Sequence, residues 1–204
     1  KNWGRLSKDK NILFIADSTN AEKDGFYIPE QRVYQTIEDI IRSVKGRLII
    51  GTFSSQFERM IRIIQAAENL GKKIVTEGRA RKTNIEIAER ANIFTPQKGT
   101  IIPAEQIGDY PPDRIVIIAT GSQGEETAAL MRIAQKKHKF VTFTDRDTIV
   151  LSSSVIPGNE VRVQKLKDNL MRHGVSIVHY RSSDVHSTGH GNTGELVWMR
   201  EQIN

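Results

Sequence analysis

The 204-residue sequence contains no cysteine. This absence excludes disulfide scaffolds, thiolate catalysis, cysteine-ligated zinc fingers and iron–sulfur clusters. Aromatic residues make up only 6% of the chain. No stretch approaches the roughly 18 consecutive apolar residues that a membrane-spanning helix needs, so we expect no membrane partner. A cytoplasmic location is predicted, because a cysteine-free chain is compatible with a reducing compartment.

The composition is that of a globular protein, with 38% hydrophobic and 26% charged residues. Thirty Lys and Arg against 24 Asp and Glu leave a net charge of +6. This modest positive excess favours a polyanionic partner such as nucleic acid. The chain opens on Lys1 rather than methionine and has no signal-peptide core, so we expect it to be a segment of a longer protein.

Short β-branched runs alternate with helical patterns along the chain. The predicted strands are residues 11–16, 47–51, 73–76, 114–119, 140–143, 148–151 and 175–179. The predicted helices begin near Pro29, Phe57, Thr83, Gly124, Asn159 and Thr193. Alternation of this kind indicates right-handed crossovers and a parallel sheet. We predict a three-layer α/β fold in which a mainly parallel sheet carries helices on both faces.

One segment, residues 92–112, departs from this alternation. Its glycines and prolines are Pro96, Gly99, Pro103, Gly108, Pro111 and Pro112. Such a composition is typical of an irregular excursion or a small flap between two strands. No linker divides the chain elsewhere, so residues 1–204 are predicted to form a single domain.

Polar turns follow the predicted strands, at the edge where an open parallel sheet binds ligands. These turns are residues 17–20, 52–55, 77–79, 120–125, 152–154 and 182–190. They offer hydroxyl groups, backbone N–H groups and helix N-termini, which suit phosphate. The alternative for any single turn is that its Ser, Thr, Asp or Asn caps the following helix. Because six such turns share one edge, we favour phosphate binding.

The turn Gly121-Ser122-Gln123-Gly124-Glu125 resembles a phosphate loop. It matches neither GxGxxG nor GxxxxGK[ST], so a dinucleotide site or a P-loop ATP site is disfavoured. Gly121, Ser122 and Gln123 are retained as candidate phosphate-binding residues.

Two of the five histidines, His186 and His190, lie in a loop after the last predicted strand. The other three occupy helix-end or strand contexts and are predicted to be structural: His138, His173 and His179. The i, i+4 spacing of the loop pair would suit zinc on a helix, but Gly189 and Gly191 disfavour a helix there. No metal site is therefore expected within this segment. A proton donor or a hydrogen-bond donor to phosphate fits the loop histidines better.

A further candidate, Asp17, ends the first predicted strand directly before Ser18. Such an aspartate caps a turn or a helix in many proteins. It also serves as the carboxylate partner of a histidine from a distant strand end. The two alternatives stay open on these residues alone.

Taken together, these motifs resemble the β-CASP domain of ribonuclease J, a family of metallo-β-lactamase-fold nucleases. The strings that carry the resemblance are ADSTNAEKDGF from Ala16, GTFSSQFERM from Gly51, EGRA from Glu77, IIATGSQGEE from Ile117, SSSVIPGNE from Ser152 and DVHSTGHGN from Asp184. The resemblance implies a Rossmann-like domain inserted into a metallo-β-lactamase domain, with single-stranded RNA held between the two. It implies that zinc or manganese is bound by an HxHxDH cluster of the β-lactamase domain, and this sequence lacks that cluster.

The resemblance also implies roles for individual residues. Asp17 matches the acidic motif A and His190 the motif B histidine, which in the family lie beside the metal centre and act on the scissile phosphate. The residues that the resemblance and the polar turns assign to RNA or phosphate binding are Ser18, Arg79, Gly121, Ser122, Gln123, His186, Ser187, Thr188 and Gly189. Three strings depart from the family pattern: HSTGHG replaces HVSGHA, GRAR replaces GRSM, and DRDT stands where Gly-Asp-Thr is usual.

We therefore predict the RNA-binding β-CASP module of a ribonuclease J-like 5′-3′ exo- and endoribonuclease. The segment alone, without the flanking metallo-β-lactamase halves, is expected to be inactive. One alternative is a free-standing, non-catalytic domain that binds a nucleotide or a sugar phosphate. Another is a purely structural subunit that promotes oligomerisation. Under the preferred interpretation, the expected partners are single-stranded RNA, the metallo-β-lactamase domain of the same chain and a second copy in a homodimer.

Overall fold

A computed structural model describes residues 13–203, apart from the side chains of residues 79–81. Its contacts divide the chain into two compact units, each of which is described by itself. The central unit is Gln31–His186, and the terminal unit combines Lys1–Glu30 with Ser187–Asn204. That residues 1–204 form a single domain therefore stays a prediction. Within the described residues, no helix is long and apolar enough to cross a membrane.

The central unit is built on a parallel five-stranded sheet in its described residues. The strands are β1 (Leu48–Thr52), β2 (Lys73–Glu77), β3 (Ile115–Ala119), β4 (Thr148–Ser152) and β5 (Ser176–His179). They lie in the order β2-β3-β1-β4-β5, and every pairing is parallel. The chain first winds from β1 towards β2 and β3, then crosses to β4 and β5. This reversal creates a topological switch point beside the carboxyl end of β1.

Helices precede, connect or follow these strands in the central unit. They are α1 (Glu30–Ser43), α2 (Phe57–Asn69), α3 (Arg79–Arg90), α4 (Ala129–Ala134) and α5 (Glu160–Met171). A further helix, α6 (Thr193–Ile203), belongs to the terminal unit. One cluster of buried residues joins alternate strand positions, such as Ile49 and Ile117, to Leu130 of α4 and Leu166 of α5. The intervening strand position Ile50 is also fully buried. Both faces of the sheet are therefore covered, and the predicted three-layer α/β fold is confirmed.

Five of the predicted runs form β1 to β5. Residues 140–143 and the described part of the first run, residues 13–16, do not form strands, and residues 11 and 12 lie outside the described residues. Residues 140–143 lie in a loop, in which Val141 and Phe143 are buried. Their apolar alternation therefore reflects packing into the core rather than sheet pairing. Helix α3 begins at Arg79, directly after the strand residue Glu77 and a glycine, rather than near Thr83.

The irregular segment 92–112 covers the outer edge of β2. Ile74 donates its N–H to the carbonyl oxygen of Thr100 at 2.8 Å and accepts the N–H of Ile102 at 2.9 Å. Ile102 and Ile107 are buried in the core cluster. Because the segment satisfies edge backbone groups of β2, it protects an apolar strand from pairing with another chain.

A buried ion pair fixes the start of β4 to the residue that precedes β1. Arg47 donates to both carboxylate oxygens of Asp147, at 2.9 and 2.5 Å, and to the carbonyl oxygen of Thr142 at 2.5 Å. Asp147 also accepts the N–H of Thr144, and its side chain is only 1% exposed. Asp147 belongs to the DRDT string, which differs from the family pattern, and its role there is structural.

The terminal unit joins residues 13–30 to the chain around α6. Asn20 and Asn192 form an isolated parallel bridge, and Thr193 donates its N–H to the carbonyl oxygen of Lys23 at 2.9 Å. The predicted strand at residues 11–16 is wrong over its described part, because residues 13–16 form no strand and Ile15 is 83% exposed. An apolar run becomes a strand only where a neighbouring strand satisfies its backbone groups, and none pairs with residues 13–16 among those described.

Candidate functional site

The strongest contact between predicted site residues joins Asp17 to His190. Oδ2 of Asp17 lies 2.5 Å from Nδ1 of His190, and about half of each side chain is exposed. The second carboxylate oxygen, Oδ1, accepts the backbone N–H of Thr19 at 2.8 Å. Both oxygens of the carboxylate are therefore engaged, and the imidazole is held by a residue far away in the sequence.

Hydrogen bonding also determines the charge of this pair. The hydrogen bond from Thr19, followed by that from His190, holds the pKa of Asp17 well below its usual value. Asp17 is therefore a carboxylate at neutral pH and can only accept hydrogen bonds. Consequently Nδ1 of His190 carries a hydrogen, and Nε2 is the ring atom that accepts or releases a proton. A carboxylate and a histidine in this arrangement can perform general acid–base chemistry.

The loop that carries His190 is braced by Asn20, which is 7% exposed. Its side-chain amide donates to Oγ1 of Thr188 at 3.2 Å and to the carbonyl oxygen of His190 at 3.4 Å. Oγ1 of Thr188 in turn accepts the backbone N–H of His190 at 3.2 Å. Sequence reasoning did not single out Asn20. Its position three residues after Asp17 could have indicated a role, because a turn at residues 17–20 brings the side chains of Asp17 and Asn20 to the same loop.

The remaining candidates of the terminal unit differ in their exposure. The hydroxyl of Ser187 is buried and donates to the carbonyl oxygen of Ile28 at 2.6 Å. Ser18 and Gly189 are exposed. The structure therefore gives Ser187 a role in holding the loop, while the phosphate-binding roles predicted for these residues stay predictions.

In the central unit, the candidate loop at residues 121–124 is buried and is held mainly by Gln123. Its amide nitrogen donates to the carbonyl oxygen of Ser154 at 2.8 Å and to Oγ of Ser153 at 3.3 Å. Its amide oxygen accepts the N–H of Ile156 at 2.9 Å. Gln123 therefore bridges two of the polar turns that follow strands. The backbone N–H of Gln123 donates to a carboxylate oxygen of Glu125 at 3.2 Å. A phosphate bound in this loop would need the same N–H group as a donor.

His186 lies against Arg59, a residue that sequence reasoning missed. A terminal nitrogen of Arg59, NH1, lies 3.1 Å from Nδ1 of His186 and donates to the carbonyl oxygen of Ser152 at 3.0 Å. Arg59 is only 1% exposed. Little in the sequence indicated that Arg59 is buried. Helix α2 also carries Arg62, which is exposed, and the hydrophobic periodicity alone does not show which of the two arginines is buried.

The other histidines make contacts typical of structural residues. Nδ1 of His138 accepts the backbone N–H of Val141 at 3.1 Å, so Nε2 carries the hydrogen that it directs at Glu77 Oε2, 3.0 Å away. His173 donates from Nε2 to the carbonyl oxygen of Ala134 at 2.7 Å. Burial lowers the pKa of His179, with further lowering by Lys167 and Arg181.

Two predictions fall outside these contacts. Arg79 begins α3, but its side chain lies outside the described residues. No group of three or more His, Asp or Glu side chains that could hold a metal ion occurs among the residues that the structure describes.

Comparison with known proteins places the central unit in a recognised family. A family model with the description "Ribonuclease J, beta-CASP domain" matches residues 45–170. Among curated proteins, Ribonuclease J of Mycolicibacterium smegmatis is 38% identical over 187 residues, which is 92% of this chain and 34% of that protein. Ribonuclease J of Mycoplasma genitalium is 37% identical over 193 residues, 94% of this chain and 34% of that protein.

A third relative, Ribonuclease J 1 of Streptococcus pyogenes, is 36% identical over 198 residues, 97% of this chain and 35% of that protein. The chain thus spans about a third of the length of the curated relatives it matches. The alignments cover both the central and the terminal unit, because they extend over more than nine-tenths of the chain.

Proposed function

The chain belongs to the ribonuclease J β-CASP domain family, and we propose that it is the RNA-binding module of a ribonuclease J-like enzyme. In this proposal the parent protein hydrolyses RNA phosphodiesters as a 5′-3′ exonuclease and an endonuclease. Its further partners are the metallo-β-lactamase domain of the same chain and a second copy in a homodimer, and its location is the cytoplasm.

The contact between Asp17 and His190 is the observation that carries the proposal. Hydrolysis adds a water oxygen to phosphorus and breaks one P–O ester bond, so the leaving oxygen needs a proton. Nε2 of His190 supplies that proton, while the Asp17 carboxylate holds Nδ1–H and stabilises the imidazolium. The low pKa of Asp17 supports this division of roles, because an ionised carboxylate orients the ring without taking its proton.

Phosphate binding is assigned to the turns that surround this pair in the sequence. In the proposal, Ser18, Thr188 and Gly189 contact phosphate oxygens beside His190, Ser187 holds their loop, and His186 donates from the same loop. Arg79 contributes to the remaining RNA path, and Gly121, Ser122 and Gln123 support it through the turn after β4. The net charge of +6 supports a polyanionic ligand. When bound, zinc or manganese would supply an activated water, and its ligands come from the rest of the parent.

The test uses the full-length parent protein and RNA oligomers of increasing length. A channel wall gains affinity with RNA length, because each further phosphate adds contacts and releases counterions. We expect His190→Ala to lower kcat at least a hundredfold and to leave the affinity for long RNA within threefold, since general acid catalysis contributes about 10²- to 10⁴-fold. Full activity of His190→Ala would contradict the catalytic assignment. If the affinity for longer RNA did not exceed the affinity for a mononucleotide, the result would instead support a domain that binds one small ligand.

A further inference from the structure

The side chain of Arg59 is buried at the carboxyl end of the sheet, where α2 begins. Arg59 is the third residue of α2 and only 1% exposed. Its NH1 nitrogen donates to the carbonyl oxygen of Ser152 at 3.0 Å and lies 3.2 Å from the hydroxyl of the same residue. Ser152 is the last residue of β4 and pairs with Thr52, the last residue of β1. The guanidinium thus lies at the topological switch point of the sheet, where open α/β sheets bind ligands.

The contact between Arg59 and His186 determines which ring nitrogen of His186 carries hydrogen. NH1 of Arg59 lies 3.1 Å from Nδ1 of His186. A guanidinium is a donor only and stays charged at all physiological pH values, so Nδ1 must be the acceptor. An imidazole that accepts through Nδ1 carries its hydrogen on Nε2. Arg59 therefore makes Nε2–H the donor that His186 presents.

Two further contacts restrict the position of the His186 ring. The ring of Phe53 packs edge-to-face against it, with 6.2 Å between the ring centroids. The hydroxyl of Ser152 donates to the carbonyl oxygen of Val185 at 2.7 Å and so fixes the backbone directly before His186. Phe53, directly after β1, and Arg59, in the first turn of α2, thus contact the imidazole, while Ser152 at the end of β4 holds the preceding backbone.

We propose that Arg59 is a positioning residue that holds His186 as an Nε2–H donor for a phosphate oxygen of RNA. The inference rests on the proposed function, because it takes the loop of His186 to bind phosphate. Its chemical content is specific: the phosphate receives a hydrogen bond from a neutral ring of fixed orientation, and the buried charge of Arg59 acts through that ring.

The first experiment measures the protonation form directly in the full-length parent protein. Histidine is labelled with ¹⁵N, and the His186 signals are assigned by their loss in His186→Gln. We expect a bare Nδ1 and a protonated Nε2 in the unmodified protein at neutral pH. Arg59→Met should yield a mixture of protonation forms, whereas Arg62→Met, which changes an exposed arginine of the same helix, should not. An unchanged His186 spectrum in Arg59→Met would overturn the inference.

The second experiment compares the affinities of the parent for one oligoribonucleotide with a 5′-phosphate and with a 5′-hydroxyl. We expect Arg59→Met to reduce the preference for the phosphorylated RNA about 10-fold or more, since a hydrogen bond to a charged phosphate is weakened. Arg59→Lys should restore most of it, and Arg62→Met should leave it unchanged. Using the ratio of two affinities keeps the test valid if the buried substitution also destabilises the fold, because misfolding weakens both complexes equally.

Variants of His186 separate the two ring nitrogens. The amide of glutamine reaches the place of Nε2 and that of asparagine the place of Nδ1, so His186→Gln should retain more of the 5′-phosphate preference than His186→Asn. In a His186→Ala background, Arg59→Met should change the preference less than twofold, because its partner is gone. Equal losses in the Gln and Asn variants would contradict the inference. Absence of any 5′-phosphate preference in the unmodified parent would contradict the phosphate role of the loop, and the ¹⁵N spectrum would still decide the role of Arg59.

Discussion

Oδ2 of Asp17 and Nδ1 of His190 lie 2.5 Å apart although 173 positions separate them in the sequence. The contact joins the segment before the bridge residue Asn20 to the loop before α6, within the terminal unit. Because Thr19 holds the other carboxylate oxygen, the pair has a defined direction of proton transfer, through Nε2 of His190. The consequences of this arrangement can be measured separately from those of folding.

Replacement of Asp17 by asparagine should lower kcat of the parent enzyme about 10- to 100-fold, which is the usual cost of losing an orienting carboxylate. Asparagine keeps the size of the side chain but removes the charge that stabilises the imidazolium. KM for long RNA should change little, since phosphate contacts along the chain remain. Steady-state kinetics on one RNA substrate provide the measurement. Asp24→Asn, an exposed acidic residue of the same unit, serves as the control.

If Asp17→Asn and Asp24→Asn had equal kcat values, the orienting role of Asp17 would be excluded. A rise in KM with unchanged kcat would place Asp17 in binding rather than in proton transfer.

Acid titration should separate Asp17 from the exposed carboxylates of the chain. Its pKa is lowered in the folded protein, so its contribution to stability is present above the unfolded value of about 3.9 and is lost only as the pH falls through the lower folded value. At pH 3.5, slightly below the unfolded value, we therefore expect Asp17 to remain ionised. The carboxyl ¹³C shift of Asp17, assigned by its loss in Asp17→Asn, provides the measurement. Protonation of Asp17 with a midpoint near the unfolded value would contradict the hydrogen-bonded geometry.

The sheet could be predicted from the sequence because each strand is short, apolar on both faces and followed by a turn. The run IVIIA became β3, with every residue buried. Residues 140–143 show where this reasoning fails. Burial of Val141 and Phe143 produces the same alternation as a strand, although residues 140–143 pair with no described strand.

The candidate site was partly predictable for a different reason. Asp17 and His190 were assigned by their match to two motifs of the family that the sequence resembles, because the residues alone left the role of Asp17 open and the strand predicted before it is not formed at residues 13–16. Arg59 was not found, since a charged residue near a helix start is ordinarily exposed. Its burial depends on Ser152 and His186, which approach it only in the folded chain. Tertiary contacts of this kind leave no local periodicity in the sequence.

Loss of the buried ion pair between Arg47 and Asp147 should destabilise the fold strongly. Asp147→Asn leaves Arg47, whose side chain is 11% exposed, without its charged partner. We expect the free energy of unfolding to fall by about 3 kcal/mol, as is typical when one member of a buried pair is removed. Urea denaturation followed by circular dichroism measures the change, with exposed Asp145→Asn as the control. A loss below about 0.5 kcal/mol, within the range of ordinary surface substitutions, would show that the pair is not structural.

We expect the side chain of Gln123 to keep the turn after β4 ordered. Gln123→Ala removes the hydrogen bonds to the backbone of Ser154 and Ile156, which are only partly buried. We expect the free energy of unfolding to fall by about 2 kcal/mol, since each of the two hydrogen bonds contributes about 1 kcal/mol. The amide of Ile156 should exchange with solvent faster by a larger factor than amides of β1, because the loss is local.

Hydrogen exchange of the Ile156 amide distinguishes a structural role of Gln123 from a direct contact between Gln123 and RNA. Gln106→Ala, which changes an exposed glutamine, should leave the Ile156 amide protected. If Gln123→Ala weakened RNA binding with the Ile156 amide equally protected, Gln123 would contact RNA directly rather than through the turn. If exchange and binding changed together, and Gln123→Glu behaved like Gln123→Ala, the amide donor to Ser154 would be the group that matters, because a carboxylate cannot donate to that carbonyl oxygen.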